Sequence, residues 1–198
     1  LPGIYSLSPY SLEEVVARNY LVNEKPDAII NIIDGTNIER NLYLTTQLLE
    51  LHIPTVIALN MIDLVTKNGD RIDLGKLSRE LDCPVLPMSA LKSTGCLEVA
   101  KKAIEQAKSK AGHELPHVFT GSVEHAVAHI EESISSIVEP QNLRWYAIKL
   151  FERDEKAEEM LQLDNVLKEH LEQHIKDCEK ELDDDSESII TNQRYAYI

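Results

Sequence analysis

Three short apolar runs limit what this chain can fold into. They read "AIINII" (residues 28–33), "TVIALN" (55–60) and "PVLPMS" (84–89), each bounded by Pro, Asp or Asn. Runs this short and continuous suit strands buried on both faces of a parallel sheet. Helical patterns lie between them. Ser11 and Glu14 form a capping box that opens a helix near residues 12–22. Asn37 is placed to cap a second helix, with Ile38, Leu42, Thr45 and Leu49 on one face. Residues 72–81 make a shorter helix, and residues 93–108 repeat apolar side chains at Leu97, Ala100 and Ile104. Strands alternating with helices mean βαβ units in a doubly wound α/β sheet.

The period then changes for good. The Gly-, Pro- and His-bearing stretch "AGHELPHVFTGS" (111–122) marks a boundary. Beyond it, Val123, Ala126, Val127, Ile130, Ile134 and Ile137 predict a helix near residues 122–139, ended by Glu139-Pro140. Residues 143–154, with Trp145 and Tyr146, read as the buried helix of a bundle. Asp164 is placed to cap a long helix carrying Leu167, Leu171, Ile175 and Cys178, and residues 183–198 are expected to be partly helical. Residues 1–112 therefore read as an α/β part and residues 113–198 as an all-helical one.

Composition narrows the function classes. With 198 residues and 43% hydrophobic side chains, one full domain and a smaller second one can bury a core. No apolar run approaches the ~18–20 residues of a membrane span, and no signal peptide opens the chain. The start at Leu1, without Met, reads as part of something longer. Cys83, Cys96 and Cys178 show no metal-like spacing and suit idle thiols of a reducing compartment. The net charge of −14 is uneven: residues 1–112 hold 12 Lys and Arg against 14 Asp and Glu, residues 113–198 hold 8 against 20. So acidic a second half would repel a nucleic-acid backbone, so no nucleic-acid partner is expected.

The second run ends in "ALNMID", placing an amide, Asn60, three residues before a carboxylate, Asp63. In an open parallel sheet, ligands bind outside the carboxyl ends of strands. A carboxylate can accept two adjacent N–H donors, the pattern that guanine presents at N1 and its exocyclic N2. Asn60 can bond the purine N7 or tie neighbouring loops together. The pair alone is common by chance and reads rather as a strand-end turn with an Asx cap. Ser89 and Ala90, at the end of the next run, add a small side chain and a backbone N–H beside the same base. At the start of the chain, Gly3 lets a peptide N–H approach a phosphate, and a flexible Ser/Pro/Tyr stretch follows, the logic of a switch loop.

The order is a Gly loop, a strand, a strand with Asn-x-x-Asp, and a strand with Ser-Ala. The spacings are 57 residues from Gly3 to Asn60 and 29 from Asn60 to Ser89. This resembles the C-terminal half of a Ras-like P-loop GTPase sheet. More closely, "LPGIYSLSPYSLEE", "NIERNLYLTTQLLE", "IALNMID" and "RWYAIKLFE" resemble the cytosolic region of FeoB, the bacterial ferrous iron transporter family, over essentially all 198 residues. The resemblance implies a partial GTPase domain over residues 1–112 and a helical, regulatory domain over 113–198. It implies a guanine-specificity motif on Asn60, Met61, Ile62 and Asp63, with Met61 where most small GTPases carry Lys. It puts the base-enclosing loop on Ser89, Ala90 and Leu91, and the second-switch motif on Leu1, Pro2 and Gly3. It further implies GTP or GDP as ligand, with Mg2+ and K+ whose ligands lie mostly upstream. Its implied partners are the membrane channel domain of the same polypeptide and small cytosolic Feo accessory proteins, on the cytoplasmic side of the inner membrane.

The pattern departs from the family's where the phosphate-cradling loop, its Lys and Ser/Thr, the first switch and the Asp of the second-switch motif do not occur. Without a central strand, the segment is expected to leave a sheet edge unpaired and, by itself, not to hydrolyse GTP, so no catalytic residue is assigned to it. Other signals are weaker. His125 with His129, and His170 with His174, have metal-like spacing but no third ligand, and read as surface histidines. The acidic run "ELDDDSE" (181–187) reads as a solvated cap. Two other classes stay open: a soluble Ras-like GTPase of another pathway, and a non-catalytic α/β interaction module.

Overall fold

The computed structural model describes residues 3–8, 11–109 and 115–198, which form two compact units divided between Pro116 and His117. In the first unit the chain runs α1 (Leu12–Glu24), β1 (Ile29–Asp34), a 3-10 turn (Gly35–Asn37), α2 (Ile38–Leu49), β2 (Thr55–Asn60), α3 (Ile62–Lys67), α4 (Leu74–Glu80), β3 (Val85–Pro87) and α5 (Cys96–Ser109). Among the described residues the strands make one parallel sheet in the order β1-β2-β3. The register pairs Asp34 with Asn60, so the carboxyl ends of β1 and β2 stop level with each other.

Side-chain alternation sets the two faces. Asn31 and Ile33 are buried on one face, where the Asn31 amide donates to the Thr45 hydroxyl of α2 at 2.8 Å. Val56 and Ala58 point to the other face and pack with Met88 and with Val99 and Ala103 of α5. The α5 stripe differs from the expected one, since Leu97 and Ile104 are exposed. The small Val99 and Ala103 let the helix lie close to β2, which turns the larger residues outward. On that same face Ile30 and Ile32 of β1 are 43% and 59% exposed, and no described strand pairs with the outer edge of β1.

Capping follows the sequence in part. The Ser11–Glu14 capping box is present. Asn37 makes no side-chain cap to α2; Asp34, one turn earlier, caps the 3-10 turn through Thr36 N–H at 2.8 Å. Asp34 wins because the turn begins at Gly35, before the expected helix start.

The second unit is all helical: α6 (Gly121–Ile134), α7 (Pro140–Phe151), α8 (Glu155–Leu161), α9 (Asn165–Leu182) and α10 (Ser186–Tyr197). Two boundaries differ from expectation. The first helix ends at Ile134, and Pro140 starts the next one. Proline suits a first helical position, where its missing N–H leaves no bond unmade. The closing segment is helical over Ser186–Tyr197, with Asp185 accepting from Ser188 N–H, so the acidic run is helix punctuation. Trp145 is fully buried, edge-on to Tyr146. Arg144 joins α7 to α6 through Glu124 at 2.6 Å and Glu131 at 3.3 Å. Arg153 holds Glu172 at 2.9 Å and Glu179 at 2.6 Å on α9, and the Ser186 hydroxyl of α10. Among the described residues no helix is long and apolar enough to cross a membrane.

The two histidine pairs are one array. His129 of α6 stacks on His174 of α9 with ring centres 4.6 Å apart and planes within 10°. His125 lies 4.5 Å from His129, and His170 4.8 Å from His174. Among the described residues no group of three or more His, Cys, Asp or Glu side chains is placed to hold a metal ion. Burial holds the His174 imidazole below the ordinary value of 6.5, the neighbouring His129, His170 and His125 add to this, and Asp177 opposes it. The unfolded chain therefore takes up this proton first as pH falls. The stabilisation is complete above about 6.5 and is lost as pH falls toward the depressed folded value. Urea unfolding followed by fluorescence of Trp145, the chain's one tryptophan, should show the midpoint falling between pH 7 and pH 5. His174→Gln should flatten that dependence; an unchanged slope would contradict it.

Candidate functional site

Asn60 is the last residue of β2, and Met61 takes a left-handed backbone with φ 59°. This unusual conformation for a residue with a Cβ reverses the chain from strand into α3. Asp63 thereby falls in the first turn of α3, half-buried at the sheet's end, while Met61 is 38% exposed. The helix itself went unforeseen, since six residues carry too little periodicity to reveal it.

The loop after β3 is built with equal economy. Ser89 and Thr94 exchange two backbone hydrogen bonds, Ser89 N–H to Thr94 O at 3.0 Å and Thr94 N–H to Ser89 O at 3.1 Å. The four residues between them, Ala90 to Ser93, form a closed turn. Gly95 follows with φ +78°, and a Cβ there would lie 2.3 Å from the Pro87 carbonyl oxygen. Only glycine fits this position. Ser89 is buried; Ala90 and Leu91 are exposed, Leu91 almost completely.

Two side chains join these strand ends. Asn60 Oδ1 accepts from Ala90 N–H at 3.0 Å, so the expected loop-tying role of the amide is present. Lys92 Nζ lies 2.9 Å from Asp63 Oδ2. Lys92 beside it holds the Asp63 carboxyl below its ordinary 3.8, against partial burial; the Ser89 hydroxyl and the residue's own N–H add to the lowering. Asp63 is thus a carboxylate at neutral pH, with acceptor capacity on both oxygens. Asn60, Asp63, Ser89 and Ala90 are brought together; Ile62 serves the backbone, donating to Met88 O at 3.4 Å.

The third strand end adds residues that sequence reasoning passed over. Gly35 lies against Asn60: a Cβ there would come 2.9 Å from the Asn60 carbonyl oxygen and 3.1 Å from Val65 Cγ2. The signal was the "DGT" at 34–36, where a run ends in a cap and a glycine.

At the start of the chain, Gly3 has φ +79°, the freedom expected of it. Leu1 and Pro2 lie outside the described residues. The stretch after Gly3 is held more firmly than a flexible loop. Leu7 is fully buried and its N–H donates to Gln47 Oε1 of α2 at 2.7 Å; the Ser6 hydroxyl reaches the same oxygen at 3.2 Å. The Arg40 guanidinium stacks 4.0 Å over the Tyr5 ring. An apolar Leu among the polar residues was the anchor.

The other reactive side chains stand apart. Cys83 and Cys178 are buried, and burial pushes the Cys83 thiol up to about 12. Cys96 is exposed.

Comparison with known proteins matches residues 1–103 to the family "Ferrous iron transport protein B" and residues 119–198 to "FeoB cytosolic helical domain". The Fe(2+) transporter FeoB of Escherichia coli is 39% identical over 158 residues, covering 78% of this chain. A fusion protein of Porphyromonas gingivalis, "Fe(2+) transport protein A/Fe(2+) transporter FeoB", is 37% identical over 215 residues and covers all of it. The chain spans 20% and 25% of the lengths of these two relatives. Among solved structures, an S. thermophilus NFeoB mutant bound to mGDP matches with TM-score 0.95 and 46% identity, over 100% of this chain and 76% of that one. NFeoB bound to GDP.AlF4- and K+ matches with TM-score 0.94 and 46% identity, covering 100% and 77%. The first unit is accordingly part of a Ras-like G-domain fold, and the chain as a whole is α/β followed by helices.

Asn60→Ala should remove the acceptor of Ala90 N–H and cost about 1 kcal/mol by chemical denaturation. Gly95→Ala should cost more, at least about 2 kcal/mol, because a left-handed backbone and a clash with Pro87 add. Equal and negligible losses would contradict the arrangement of the two strand ends.

Proposed function

Since the chain belongs to the ferrous iron transport protein B family, we propose that it is the guanine-reading part of a cytosolic GTPase region whose nucleotide state regulates ferrous iron uptake. The observation that carries this reading is the convergence of Asn60, Asp63, Ser89 and Ala90 at the carboxyl ends of β2 and β3.

Asp63 accepts the N1 and N2 protons of guanine on its two oxygens. Adenine has an acceptor at N1 and no N2 amine, so it would leave the carboxylate unpaired, which a buried hydrogen-bonding site penalises by orders of magnitude. Ala90 has no side chain beyond Cβ, so the base can approach its backbone. Met61 lies partly exposed beside the carboxylate, and its thioether supplies soft packing for a base face. Gly3, with Leu1 and Pro2, is read as the switch that senses the terminal phosphate, and the anchor at Leu7 and Gln47 fixes the end about which it turns. The 198 residues contain no loop ending in Gly-Lys-Ser/Thr, so this segment alone is proposed to be inactive in hydrolysis. No step is assigned to magnesium or potassium, since among the described residues no group of three or more His, Cys, Asp or Glu is placed to hold a metal ion.

The likeness to Fe(2+) transporters supports a place on the cytoplasmic side of the inner membrane, with the channel portion of the same polypeptide as partner. The fusion in one relative supports a protein A-like accessory partner. The exposed Ile30 and Ile32 would be covered by further strands and helices of the whole protein.

The test is Asp63→Asn in the full-length protein. An amide offers one donor and one acceptor, which match the O2 and N1–H of xanthine. GDP affinity should fall by roughly two orders of magnitude, and XDP should become the preferred ligand in competition binding. Retained GDP preference would contradict the assignment.

A further inference from the structure

Asp63 does not stand alone at the site, and what holds it belongs to the loop that cradles Ala90. Lys92 Nζ sits 2.9 Å from its Oδ2, the Lys92 backbone N–H donates to Ser89 Oγ at 3.4 Å, and the nearby Ser89 hydroxyl adds to the lowering of the Asp63 carboxyl. Lys92 thus links the ends of β2 and β3, through Asp63 on one side and Ser89 on the other. Ser89 is 2% exposed, so its hydroxyl has few other orientations. The Lys92 backbone is fixed within the turn closed by Ser89 and Thr94, where Ser93 N–H donates to Ala90 O at 3.2 Å. The lysine head is 60% exposed against 20% for the Asp63 side chain, so the pair contributes little to overall stability.

We infer that Lys92 is a positioning residue that sets guanine specificity by locking the orientation of the Asp63 carboxylate. This rests on the base-reading role proposed for Asp63. A carboxylate offers about four acceptor sites on two oxygens, so Lys92 and Ser89 leave room for two donors on a purine edge. With one oxygen tied to Lys92, whose backbone is fixed within the closed turn, the carboxylate plane is held against turning to follow a different donor pattern. Such preorganisation raises affinity for the matching edge and widens the gap to a mismatched one. A base lacking the exocyclic N2 amine, as in inosine nucleotides, would leave one prepared acceptor unfilled. Leu91 sits between the two functional positions and is 92% exposed, so it takes no part in the lock.

The experiment compares GDP, IDP and XDP binding to full-length protein, unaltered or carrying Lys92→Met, Lys92→Arg or Asp63→Asn. Thermal melting would establish that Lys92→Met folds, as its exposure predicts. The GDP-over-IDP preference of Lys92→Met should narrow by about fivefold, near the upper end of what one exposed ion pair contributes. Lys92→Arg should restore it, and only proteins that keep both a cation at this position and the Asp63 carboxylate should lose preference as salt rises. An unchanged ratio in Lys92→Met, with Asp63→Asn still shifting preference toward XDP, would overturn the role of Lys92 alone. Tighter GDP binding by Lys92→Met would also overturn it, since the lysine would then compete with the base. If Asp63→Asn keeps its GDP preference, the base-reading role fails, and the inference for Lys92 fails with it.

Discussion

The hydrogen bond from Ala90 N–H to Asn60 Oδ1, 3.0 Å long, joins the ends of two neighbouring parallel strands, and the site depends on it. Parallel pairing brings the carboxyl ends of strands to one edge but does not fix the loops that leave them. Here an amide at the end of one strand accepts a backbone N–H from the loop that follows the next. Around that bond, each loop has its own geometric device. Met61 adopts a left-handed backbone to turn β2 into α3, and Gly95 accepts a position where any Cβ would strike Pro87. Gly35 allows the end of β1 to lie against Asn60. Functional positions are commonly held this way, with local strain supported by the surrounding sheet.

Much of this was legible in the sequence, and particular residues show why. The three apolar runs became the three described strands because each is short, continuous and bounded by chain breakers. Asn60, Asp63, Ser89 and Ala90 could be picked out as candidates because each stands at or just beyond the end of such a run. The α5 stripe was misread, since Leu97 and Ile104 outweigh Val99 and Ala103 in hydrophobicity while the smaller pair fits the sheet. Periodicity reports which residues are apolar, not which face lies close enough to be buried. Asn37 lost its capping role to Asp34 because one glycine moved the start of the turn. Lys92 carried no signal: a lysine in a surface loop has no pattern until the loop's closure brings it to Asp63.

The helical unit follows a different economy. Part of its acidity is used locally: Asp154, Asp164 and Asp185 cap helices, and Glu124, Glu131, Glu172 and Glu179 hold Arg144 and Arg153. Arg153 fastens the end of α7 to two other helices, and Glu179 and Glu172 hold it protonated beyond its already high value. Both glutamates are in turn lowered by Arg153. The histidines of α6 and α9, spaced four apart on each helix, meet only because the two helices pack side by side. A sequence displays each pair but not their meeting.

The proposed function stands on the Asp63 carboxylate reading a guanine edge beside Ala90. A crystal structure of the whole cytosolic region of the parent protein with GDP tests it most directly. Both Asp63 oxygens should then lie within about 3.2 Å of the guanine N1 and N2. A base bound elsewhere, or an Asp63 side chain turned away from it, would contradict the reading.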